Sequence, residues 1–185
     1  MGKYDKYFVS GPPPGEPEGS GKCIAHIDGD TFEGAHEYYA HWAFEKPRGI
    51  PGWEEWGDVV HSPHKHRFPE VVALLGTDPD NPMDLGAEMD GYLGPEIEKN
   101  LVTKSNLTFM PAEFIHGPSI IGKVKRPFIF IEINQSPKHT EKAMIDMVPE
   151  EERDKMMFTD VGYDSPERRV RWPKGVGPRF KEGKK

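Results

Sequence analysis

The chain has 185 residues, enough for one ordinary domain with a real core and too few for two full domains. A formal net charge of −7 excludes a general nucleic-acid binder, which needs a basic surface to neutralise phosphate. Only 35% of residues are hydrophobic, yet ten Phe, six Tyr and four Trp can close a core around few positions, which excludes disorder throughout.

Gly (20) and Pro (19) together exceed one residue in five and fall between short apolar runs, so turns and strands are predicted rather than long helices. Residues 1–21, with Pro12, Pro13 and Pro14, read as an extended arm. They lack the apolar centre of a signal peptide, Lys6 stands where a myristoylation signal wants Ser or Thr, and no run elsewhere is long enough to cross a bilayer. A soluble, cytoplasmic protein with no membrane partner is the expectation.

Residues 22–28 predict a first strand, ended by Asp28-Gly29-Asp30. Residues 36–45 predict a second, with Tyr38, Ala40, Trp42 and Phe44 on one face and Tyr39, His41 and Ala43 on the other. A Pro- and Gly-punctuated loop over 46–57 carries Trp53 and Trp56. Strands are predicted over 70–76, 85–94 and 101–110, and most clearly over 125–134. There Phe128, Phe130 and Glu132 alternate with Ile129, Ile131 and Ile133, as on a strand covered on both faces. After Gln135, helix-start signals at Ser136-Pro137 and Pro149 predict one or two short helices, followed by a basic tail over 167–185. The expected organisation is an arm (1–21), a β-barrel domain (22–135), and short helices with a tail (136–185).

Cys23 is the only cysteine, which excludes a thiolate zinc cluster, so any metal must take nitrogen and oxygen ligands. On a strand His64 and His66 would point to one side, and Glu70 shares their parity. Eight histidines in one chain make a single His-x-His pair an ordinary accident, so the cluster needs a partner. His116, five positions after Pro111 and followed by Gly117-Pro118, is that partner.

The two segments together resemble the paired motifs of the cupin superfamily, G-x5-H-x-H-x3,4-E-x6-G and G-x5-P-x-G-x2-H-x3-N. His64, His66 and Glu70 fit the core of the first, and Pro111 and His116 fit the second. Gly57 lies one residue too far upstream and Gly76 one residue too near, Ser105 and Glu113 replace glycines, and Ile120 replaces the asparagine. A glycine at position 113 would serve a backbone conformation that Glu adopts less easily.

The resemblance implies an all-β, double-stranded β-helix, a small jelly-roll barrel, holding a divalent metal through His64, His66, His116 and Glu70. Three imidazoles and one carboxylate leave an octahedral ion two open positions, which suits Fe2+, Mn2+ or Ni2+. Zn2+ bound tetrahedrally by all four would be saturated and structural. The implied function is a metal-dependent enzyme acting on a small organic molecule by lyase, isomerase or oxygenase chemistry, with a non-catalytic ligand-binding or sensory module as the alternative. A homodimer is the family-level expectation. Candidate pocket residues are His41, Tyr38, Trp42, Phe109, Phe128 and Phe130, with Arg126 a candidate partner for a substrate carboxylate. His61, an odd step from His64, should face away unless Pro63 introduces a bulge.

Overall fold

The computed structural model describes residues 2–12, 23–43 and 60–174. Phe44, the loop with Trp53 and Trp56, and the end of the basic tail lie outside the described residues. The strands are β1 (Cys23–Ile27), β2 (Glu37–Ala43), β3 (Val60–His61), β4 (His64–Lys65), β5 (Glu70–Leu75), β6 (Asp84–Leu93) and β7 (Glu98–Lys104). They continue with β8 (Asn106–Met110), β9 (His116–Val124), β10 (Phe128–Asn134), β11 (Glu141–Ala143), β12 (Met156–Val161) and β13 (Arg169–Arg171).

Their pairing is nested. β6 and β7 form a hairpin, and β5 with β8, β4 with β9, and β2 with β10 follow behind it as antiparallel partners. This two-stranded ribbon winds on itself, because β6 also pairs with β9 and β5 with β10. The result is two facing sheets, one ordered β1-β2-β10-β5-β8 and one ordered β13-β12-β11-β4-β9-β6-β7. That is the double-stranded β-helix, and winding leaves most strand edges paired.

Alternation then sorts side chains. Inward on the first sheet, register rows run from Ala43 and Phe128, through His41, Phe130 and Leu74, to Tyr39, Glu132 and Val72, and end on Glu37, Asn134 and Glu70. One end of the barrel is therefore apolar and packed, with Leu74, Phe128, Phe130, Leu85, Ala87 and Met89 in one buried cluster. The other end is polar, and it carries the histidines.

The predicted strand over 101–110 is two strands in different sheets. Ser105 Oγ accepts from the Gly76 amide (2.9 Å) and donates to the Pro82 carbonyl (2.6 Å), which pins the chain where it crosses over.

The region after Gln135 carries short helices as expected, of 3-10 type, one of them opening directly after Pro149. They are Ile145–Met147 and Glu150–Lys155, the second with Glu150, Glu151 and Glu152 in its first turn and Arg153 and Lys155 in its last. Residues 141–143 instead pair as β11 along the free edge of β4, and Arg169–Arg171 of the predicted tail pair with β12. The signal at Ser136-Pro137 loses because Thr140 and Glu141 are buried against imidazoles, and those tertiary contacts need an extended backbone. Residues 2–12 of the arm run beside β1, with Gly11 bridging Ala25 and Tyr7 against Phe32 at 5.8 Å.

Leu74 is 1% exposed at the packed end. Leu74→Ala is expected to cost about 2–5 kcal/mol in urea denaturation, the range for a buried leucine that leaves a cavity.

Candidate metal centre

His64 lies on β4, His66 just after it, Glu70 at the start of β5 and His116 at the start of β9. His64 and His116 are register partners across the ribbon, which brings two distant segments side by side. All four side chains are buried. One ring nitrogen from each of the three histidines lies within 4.8 Å of the others. Glu70 Oε2 is 3.0 Å from His116 Nε2 and 3.6 Å from His66 Nε2.

Each imidazole is held by its other nitrogen. Nδ1 of His64 donates to the Ser62 carbonyl (2.8 Å), Nδ1 of His116 to the Phe114 carbonyl (3.0 Å), and Nδ1 of His66 to the Thr140 carbonyl. A carbonyl only accepts, so Nδ1 carries the proton and the Nε2 of a neutral ring presents a lone pair. Nε2 of His66 and of His116 are buried without a hydrogen bond. Burial, then the neighbouring His61, holds His64 well below the usual imidazole range, and burial likewise lowers His66, so both rings stay neutral. Two buried lone-pair nitrogens aimed at a carboxylate are the donor set a divalent cation takes. The residues fit a metal.

Two local features support this geometry. Glu113, where the cupin motif has glycine, adopts φ +64°. Its amide donates to the His66 carbonyl (2.8 Å), and its carboxylate receives Lys65 Nζ (2.5 Å) and the Tyr163 hydroxyl (3.0 Å), contacts that offset the roughly 1–2 kcal/mol of a left-handed non-glycine residue. Gly117 has φ +81°, and a Cβ there would sit 3.1 Å from His64 Cε1, so a side chain would crowd the ring.

A second layer lies behind the imidazoles. His61 Nε2 donates to Glu141 Oε1 (2.6 Å), and His139 donates to Glu141 Oε2 (3.0 Å) and to Glu37 Oε2 (3.1 Å). Asn134 adds a bond to Glu37 (2.9 Å). Burial would lower His139, but the two carboxylates outweigh it and push it up to about 10, so its ring is an imidazolium. Glu141 lies well below the carboxylate range, burial being outweighed by its bonds from His139 and His61. His139 stands edge-on to His66, with centroids 5.3 Å apart.

The predicted pocket residues divide. Phe128 and Phe130 face inward in the packed core. His41 also faces inward, against Phe130 (4.9 Å) and 3.9 Å from Glu132. Tyr38, Trp42 and Phe109 are exposed on the outer face, because the inward register belongs to Tyr39, His41 and Thr108. Arg126 is held by Asp84 (3.0 Å) and Asp78 (3.6 Å) rather than directed into the barrel. His61 does not face away: the chain breaks from strand geometry at Ser62 and Pro63, and its ring stacks on His64 at 4.4 Å.

Sequence reasoning missed His139, Glu141 and Glu37, whose strand or loop positions were hidden by the helix signals or lay far away in the chain. Glu132 did leave a signal, as the one carboxylate on the Phe128–Phe130 face. Its side chain shares the inward register of Tyr39 and Val72, lies 3.9 Å from His41 and keeps 42% of its surface accessible. Burial, then the charge of Glu70, pushes its carboxyl up to about 8. A separate cleft of about 510 Å³, between Lys142–Asp146, Phe158, Asp160 and Arg169–Arg171, contains none of the four candidate ligands.

No protein-family model matches the chain, and no curated protein does. Solved structures do. An uncharacterised protein with a double-stranded β-helix domain from Klebsiella pneumoniae is 12% identical, with 77% of this chain and 89% of that chain covered and a TM-score of 0.40. The strand order and register make the fold a double-stranded β-helix. An oxalate oxidase in complex with glycolate is 10% identical over 76% of this chain and 64% of that one, TM-score 0.44. The lyase DddQ from Ruegeria pomeroyi, which acts on DMSP, is 11% identical over 58% and 42%, TM-score 0.35. This chain thus spans less than two thirds of either enzyme, and the assignment of the barrel rests on its strand order and register.

Glu132 gives a signed pH dependence. Its carboxyl titrates at the ordinary 4.5 when unfolded and at about 8 when folded, so the folded state binds the extra proton and stability falls as pH rises between those values. In chelated protein, Glu132→Gln is expected to gain stability over the native chain progressively across that window, read by urea denaturation at both ends. A difference that does not change with pH would contradict a Glu132 carboxyl protonated in the folded state.

Proposed function

We propose that the protein is a metal-dependent enzyme that turns over a small organic molecule inside the barrel, with His64, His66, His116 and Glu70 holding a divalent ion of the Fe2+, Mn2+, Ni2+ or Zn2+ group. The observation that carries this reading is the commitment of all three Nδ1 atoms to backbone carbonyls, which leaves the Nε2 atoms and Glu70 to converge. The ion would offer open positions to a substrate oxygen and stabilise negative charge developing there.

The chain's own residues supply the rest. Val72, Leu74 and Phe130 exclude water from one side of the inner face. Glu132, protonated at neutral pH, holds a proton at a carboxyl oxygen within that lumen, facing His41. His139, clamped by Glu37 and Glu141, fixes a positive charge behind His66 and orients the Thr140 carbonyl segment that holds its ring. These groups suit proton-coupled chemistry on a small, oxygen-bearing substrate, as in elimination, isomerisation or oxygen-dependent cleavage.

The test is turnover of a panel of small carboxylates, hydroxy acids and enolisable ketones by metal-loaded protein, native chain against His66→Ala. The native protein is expected to convert at least one compound, with chelation and the substitution each abolishing conversion. Activity indifferent to both would remove the mechanism, and a bound compound recovered unchanged would point to a binding module.

A further inference from the structure

Four carboxylates gather at the polar end of the interior, those of Glu37, Glu70, Glu132 and Glu141. Among the described residues, no lysine or arginine lies within ion-pair distance of any of them, and their partners are histidines. The nearby cations point the other way. Lys65 and Lys142 are register partners bound to Glu113 and Asp164, and Arg126 is held by Asp84. Glu37 and Glu141 lie against the His139 imidazolium, and Glu70 faces the metal position. Glu132 is left over: His41 Nε2 stands 3.9 Å from its carboxylate, beyond hydrogen-bond reach.

The register partner of Glu132 on β2 is Tyr39, whose ring stands edge-on to His41 at 5.4 Å, and its partner on β5 is Val72. A carboxylate between an aromatic ring and an aliphatic wall is an arrangement that recognises an organic ammonium. The carboxylate supplies the counter-charge, the ring adds cation–π attraction, and the aliphatic group packs the carbon beside the nitrogen. An inorganic cation is disfavoured, because it needs several oxygen ligands and Glu132 offers one carboxylate.

We propose that Glu132 determines specificity and that the ligand is a small aminocarboxylate, its ammonium group paired with Glu132 while its oxygen end meets the ion. This rests on the reading of His64, His66, His116 and Glu70 as a metal centre. Register sets the length of the ligand. Glu132 pairs with Val72 and Asn134 with Glu70, so the two carboxylate positions are two residues apart along β5, on the order of 7 Å. A short carbon chain spans that distance. Burial, then the charge of Glu70, pushes the Glu132 carboxyl up to about 8, as expected of a carboxylate without a counter-cation. The proton it holds in the empty barrel leaves to water when the ammonium takes its place.

The experiment is isothermal titration calorimetry on the full-length protein, loaded with whichever of Mn2+, Fe2+, Ni2+ and Zn2+ it retains after gel filtration. The probes are two matched pairs, β-alanine against butyrate and γ-aminobutyrate against valerate, in each of which an ammonium replaces a methyl group of similar size. In at least one pair the amine is expected to bind about tenfold or more tightly than its partner, the worth of a charge-assisted hydrogen bond. Glu132→Gln should erase that preference. Glu132→Asp, which withdraws the carboxylate by one methylene, should shift it toward the longer amine, and this shift decides should Glu132→Gln unfold. Equal affinity within both pairs, a preference that Glu132→Gln leaves intact, or a loaded protein that binds none of the probes would overturn the inference while the metal centre stands. A chain that retains none of the ions removes the metal centre, and this ligand with it.

Discussion

Three hydrogen bonds, from the Nδ1 atoms of His64, His66 and His116 to the carbonyls of Ser62, Thr140 and Phe114, decide what this barrel can do. Each fixes a tautomer and a ring orientation, and together they turn the remaining nitrogens toward Glu70 at the polar end of the lumen. A buried imidazole nitrogen without a partner costs free energy comparable to a lost hydrogen bond. Among the described residues, His66 Nε2 and His116 Nε2 are two such atoms, and both lie beside the Glu70 carboxylate. A cation at their meeting point satisfies all of them.

The winding of the ribbon makes that meeting possible. Pairing β4 with β9 sets His64 opposite His116 although 52 positions separate them in sequence, and β5 brings in Glu70 from the facing sheet. β11 then closes the edge of β4 and delivers both the Thr140 carbonyl and Glu141. In the outer layer His61, Glu141, His139 and Glu37 are linked through bonds of 2.6, 3.0 and 3.1 Å, with the His139 imidazolium between two carboxylates. Buried charges persist only when paired in this way. The same alternation inside one strand, apolar at Phe130 and acidic at Glu132, divides the interior into a packed half and a polar half.

Much of this was legible in the residues. Period-two alternation gave β2, β5 and β10, and the spacing of His64, His66, Glu70 and His116 brought together the four side chains that converge. Three things were not legible. Parity names two faces without saying which is inside, so Tyr38, Trp42 and Phe109 were expected in the pocket although register turns them outward. Pro63 interrupts β3 and β4, and the resulting change of direction stacks His61 on His64. The helix signal at Ser136-Pro137 is a genuine local preference, but the burial of Thr140 and Glu141 against the imidazoles outweighs it, whereas the signal at Pro149 opens the 3-10 helix Glu150–Lys155. Glu113 shows the same competition on a smaller scale: a motif glycine is replaced, and the left-handed backbone survives because Lys65, Tyr163 and the His66 carbonyl hold the residue in place.

The account stands on one divalent ion shared by four named side chains. X-ray absorption at the metal edge of protein purified without oxygen tests this most directly. The expected result is a bound first-row ion whose inner shell contains three imidazole nitrogens and a carboxylate oxygen. Full-length, folded protein that takes up no such ion, or holds one in a shell lacking imidazole, would contradict it.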